Sequence, residues 1–211
     1  MNIIELFITI GYTQSIDDGI IEAIIHGKKE AVIYLITIGS GNISKALLLA
    51  IKYIQYEISS LLIPLASIDA LDESMLLACS LGNIDIVRLL ITTNIKNWNK
   101  YLYNACFKGH EEIVDLLLLS GANDINLIFR TAYNRDYKNL YIKAIIRGAD
   151  LDQYTILNLE EDDIYYIVKC GITDIRACIN SIKLIQSKIL KCSKIVSFYL
   201  GRDIESIIAK Y

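Results

Sequence analysis

The chain has few of the residues that punctuate loops, bind metals or staple small domains. It contains one proline, Pro64, and no stretch rich in Pro, Gly or Ser that would read as a linker, so one continuous domain is the simplest organisation. Its only histidines are His26 and His110, and its five cysteines are scattered without a Cys-x-x-Cys pair. Neither a zinc site nor a disulfide framework is indicated; the expectation is a reducing compartment, no metal and no cofactor. A net charge of −3 with no basic stripe argues against a general nucleic-acid binder. No Gly-x-Gly-x-x-Gly, phosphate-binding loop or Gly-x-Ser-x-Gly occurs.

Long uncharged hydrophobic runs are also missing, despite a mean hydropathy of +0.40. The most apolar stretch, Ala46 to Ala66, is interrupted by Lys52, Gln55 and Glu57, which would be costly in hydrocarbon, so no membrane association is expected. The N-terminus lacks a basic segment and carries Glu5 among its apolar residues, so no standard secretion signal is read and a cytoplasmic location is expected. What the chain does have is 54% hydrophobic against 21% charged residues, which excludes intrinsic disorder and requires a core.

That apolar content is periodic. The segment from Leu76 to Leu90 aligns position for position with that from Tyr103 to Leu117, and the anchor alanines Ala23, Ala50, Ala78, Ala105 and Ala132 follow at steps of 27, 28, 27 and 27. Sixteen residues after four of these anchors stands a residue suited to ending a helix in the left-handed conformation: Gly39, Asn94, Gly121 and Gly148, with Ala66 the exception. Gly11 closes Ile8-Thr9-Ile10-Gly11, repeated as Ile36-Thr37-Ile38-Gly39, and Gly171 and Gly201 continue the column less regularly. Each unit thus predicts a first helix ending near Ala-x-x-x-Gly and a second, more apolar helix. Ile86, Leu89 and Leu90, and their equivalents Ile113, Leu116 and Leu117, are placed on one buried face. One unit cannot bury that face, so neighbours must stack into a solenoid.

The run Gly109-His110-Glu111-Glu112-Ile113-Val114-Asp115-Leu116-Leu117-Leu118-Leu119-Ser120-Gly121-Ala122-Asn123 resembles the second helix of an ankyrin repeat, Gly-His-x-Glu-Ile-Val-x-x-Leu-Leu-x-x-Gly-Ala-Asp, and Gly148-Ala149-Asp150 repeats its ending. The resemblance implies an all-α solenoid of stacked helix-turn-helix repeats. Ankyrin repeats have about 33 residues and open with Thr-Pro-Leu-His; here the step is about 27 and Thr-Pro is absent. The alanine-to-glycine distance is intact, so the missing residues come from the β-hairpin finger, predicted to be shortened or lost. The expected domain is 1–211, with a half-repeat cap at 1–15, repeats at 16–42, 43–69, 70–97, 98–125, 126–150 and 151–173, and a degenerate repeat and basic C-terminal cap at 174–211. Richness in Ile, Asn, Lys and Tyr resembles the degenerate short-repeat ankyrin proteins of large DNA viruses, with intracellular bacteria a second source.

Little here reads as chemistry. The resemblance makes His110 a structural histidine that hydrogen-bonds backbone between repeats, against a catalytic or metal role; His26, before its glycine instead of after it, is expected to be exposed. Cys79 and Cys106, following the anchor alanines, read as small core residues before they read as nucleophiles. Cys170, Cys178 and Cys192 have no assigned role. The run Glu160-Glu161-Asp162-Asp163 is either a cation or acid–base site or, more simply, the N-terminus of a helix that favours negative charge.

The resemblance also implies that partners are met two and three residues after each anchor: Ile25/His26, Lys52/Tyr53, Ser80/Leu81, Phe107/Lys108 and Asn134/Arg135. Tyr53, Leu81 and Phe107, with Trp98 and Tyr101, would form an aromatic and apolar interaction patch unless the shortened fingers let them pack inward. The candidate contacts are therefore His26, Lys52, Tyr53, Leu81, Trp98, Tyr101, Phe107, Lys108, Asn134 and Arg135, with no catalytic, cofactor or metal residue. The leading expectation is a protein-interaction module, of a virus or pathogen, binding a host protein in cytosol or nucleus as a monomer. A self-assembling structural component is the alternative, and an enzyme is the third.

Overall fold

Small side chains at a fixed step allow helices to approach closely, and the alanine column does so here. Ala50, Ala78, Ala105 and Ala132 are wholly buried and Ala23 nearly so. The computed structural model describes residues 16–38 and 42–150. The expected caps at 1–15 and 174–211, the repeat at 151–173, Gly11, Gly39, Gly171, Gly201, Cys170, Cys178, Cys192 and the acidic run at 160–163 lie outside the described residues.

The chain divides into two compact units, Met1–Asn123 and Asp124–Tyr211. The described part of the first holds four helical hairpins: α1 (Ile16–Ile25) with α2 (Lys29–Ile38), α3 (Ile43–Lys52) with α4 (Tyr56–Leu62), α5 (Ile68–Leu81) with α6 (Ile84–Ile91), and α7 (Trp98–Lys108) with α8 (Glu111–Ser120). First helices pack on first helices, α1 on α3, α3 on α5 and α5 on α7; second helices pack on second helices, α2 on α4, α4 on α6 and α6 on α8. These two layers are those of a helical solenoid. The second unit contributes one described hairpin, α9 (Ile125–Asn134) packed on α10 (Lys138–Ile146).

Helix starts follow local chemistry. Asn42, Ser67, Asn83 and Asp124 each accept a hydrogen bond from the backbone N–H three residues on, satisfying a donor that the first helical turn leaves free. Among the described residues there is no strand, and the predicted loss of the β-hairpin fingers holds: α5 follows a single 3-10 turn (Ile63–Leu65) and Ala66–Ser67, and α7 follows the irregular Thr92–Asn97.

Two expectations need correction. Asn94 does not end a helix in the left-handed conformation: α6 stops at Ile91 with Thr92 in a right-handed C-cap, and Asn94 is not among the residues of positive φ. The residues that follow, including buried Ile95, run irregularly to α7, so the helix needs no left-handed reversal there. The buried face of the second helices is also turned by about one position. Ile86, Val87 and Leu90, and likewise Ile113, Val114 and Leu117, are buried, whereas Leu89 and Leu116 lie half-buried on its flank. Valine at the position after each isoleucine sits nearer the centre of the stripe facing the neighbouring repeats.

Candidate interaction surface

The turn between the two helices of each repeat is built the same way in all five described hairpins. Four residues after the anchor the backbone takes positive φ: Gly27 (φ 63°), Ile54 (57°), Gly82 (76°), Gly109 (78°) and Asp136 (58°). Aspartate tolerates this region, but a β-branched residue there is a true outlier, because Cβ crowds the backbone at a cost of about 1–2 kcal/mol.

What covers the turn depends on whether it carries a Cβ. The His110 imidazole lies over Gly82, where a Cβ would fall 2.5 Å from the ring, and its Nε2 is 3.2 Å from the Ser80 carbonyl oxygen. His110 is thus the inter-repeat link expected of it. The Gln55 amide lies over Gly27 in the same manner, 3.0 Å from the position of a Cβ. Neither Gln55 nor His110 caps the helix it precedes. After Ile54 the equivalent residue is Asn83, which accepts a hydrogen bond from Ile86 N at 3.1 Å and so serves its own helix. The turns at Gly27 and Gly82 are covered by the next repeat; the isoleucine turn is followed by a residue that caps its own helix.

The opposite ends of the repeats carry a polar column six residues before four of the five anchors, which the periodicity contains but which only contacts make evident. Asp17 accepts from Asn42 N at 3.3 Å. Asn99 and Asn123 exchange two hydrogen bonds of 3.0 Å, as Asn126 and Asp150 do in the second unit at 3.1 and 2.8 Å. Asp72 gathers three donors: Asn97 Nδ2 (2.8 Å) at the end of its own repeat and, from the next repeat, Lys100 Nζ (2.8 Å) and the Tyr101 hydroxyl. Burial raises the Asp72 pKa, but the hydrogen bonds from Lys100, Tyr101 and Asn97 and the Lys100 charge outweigh it and hold the carboxyl near 2.

The candidate contact residues separate accordingly. Tyr101 is fully buried, and its place in an exposed patch is withdrawn: the carboxylate of Asp72, across the repeat boundary, draws the phenol inward. Trp98 is half-buried, edge-to-face with Tyr101 at 6.0 Å and against Gly121, where a Cβ would lie 3.3 Å from the ring. Phe107 is half-buried, with Lys108 Nζ 5.9 Å from its ring centre and the exposed Tyr103 ring 5.8 Å away. Tyr103 was missed by reading only the two positions after each anchor; its spacing of four from Phe107 was the available signal. His26, Lys52, Tyr53, Leu81 and Lys108 are exposed, His26 lying 3.5 Å from Glu22. In the second unit Asn134 and Arg135 are exposed.

Residues 47–128 match the family model of ankyrin repeats, in three copies. That segment is similar to an array of ankyrin repeats. Comparison with curated proteins finds no match. Ankyrin repeats are generally protein–protein interaction modules and typically non-catalytic. Within the array Cys79 and Cys106 are fully buried, and burial pushes both thiols up to about 12, far from the reactive thiolate. Among the described residues no group of three or more His, Cys, Asp or Glu converges as a metal site, and no helix is long and apolar enough to cross a membrane.

Proposed function

We propose that the chain is a monomeric protein-interaction module of a virus or pathogen, and that it binds a host cytosolic or nuclear protein along the C-terminal ends of its first helices. On this reading the repeats outlined from the sequence at 1–211 form one array. The observation that carries it is the repeated exposure of Lys52, Tyr53, Leu81 and Lys108 at equivalent positions on packed helices, with Phe107 half-exposed beside them. Side chains offered from a stacked frame lose little entropy on binding, which favours recognition of a folded or extended partner. The composition rich in Ile, Asn, Lys and Tyr supports the viral origin.

The test is capture of partners from a human-cell lysate on the immobilised full chain, quantified by mass spectrometry against a variant carrying Tyr53→Ala, Leu81→Ser and Phe107→Ala. The reading expects proteins enriched on the native chain and lost from the variant, while its melting temperature stays within a few degrees. Equal enrichment on both would overturn it.

A further inference from the structure

We draw no further inference here: the strongest candidate, the exposed apolar surface of Tyr53, Ile54 and Leu81 on the turn edge of the first unit, is flanked by exposed charges of both signs, and nothing in the structure shows what covers it.

Discussion

The second and third repeats solve one geometric problem in opposite ways. Both must reverse the chain four residues after the anchor alanine through positive φ. The third uses Gly82, and the space vacated by the missing Cβ is filled by His110 of the fourth repeat, which reaches back to the Ser80 carbonyl. The second uses Ile54, whose Cβ occupies that space, and Asn83 of the third repeat caps its own helix instead. The residue at a turn and the one that covers it therefore form a pair spanning two repeats. A glycine permits an inter-repeat link; a side chain exchanges the link for a cap and leaves strain behind.

The largest break in this comparison is expected from Gly82→Ala. It imposes on the third turn the strain carried by the second and expels His110 as well, so urea unfolding should show a loss of about 3 kcal/mol. Next comes Asp72→Asn, which weakens the other end of the same joint without touching the turn, at about 2 kcal/mol. It also carries a pH signature. Asp72 sits near 2 in the fold against an ordinary 3.8, so between these values the unfolded chain holds a proton that the folded chain does not. The native stabilisation is present above about pH 4 and lost as pH falls toward 2, and Asp72→Asn should flatten that slope in acid titrations followed by circular dichroism.

Smaller, and of opposite sign, is Ile54→Gly, which should stabilise by about 1 kcal/mol as strain is relieved, offset in part by glycine's freedom in the unfolded chain. A control outside both turns is Ser74→Ala. The Ser74 hydroxyl is fully buried with no hydrogen-bond partner, so its removal should be neutral or stabilising by up to about 1 kcal/mol in thermal melts. A clear loss would show that the hydroxyl is satisfied after all.

Much of this frame was legible in the sequence because it depends on residues whose absence of bulk is itself the signal. The alanine column marks where helices touch, and Gly27, Gly82 and Gly109 mark where the chain reverses. The same logic misled at Asn94, where a residue able to adopt positive φ was not required to. It was silent at Ile54, because the left-handed position there is dictated by the repeat and not by the residue that occupies it. Tyr101 was misplaced for a related reason: an aromatic residue near the start of a helix reads as exposed until its partner is known, and Asp72 lies a whole repeat earlier. The polar contacts of Asp17, Asp72, Asn99 and Asn126 share one column six residues before the anchors, yet polar residues at helix starts are so common that the column carries little weight before contacts are seen.

The pairing of turn and cover is tested most directly by a double-mutant cycle of Ile54→Gly and Asn83→His, read by urea unfolding. Asn83→His alone should destabilise, since it removes the cap of α6 and places a ring against Ile54. On the Ile54→Gly background the same change should cost less by about 1 kcal/mol, because the ring can now lie over glycine as His110 does over Gly82. Strict additivity of the two substitutions would contradict the account.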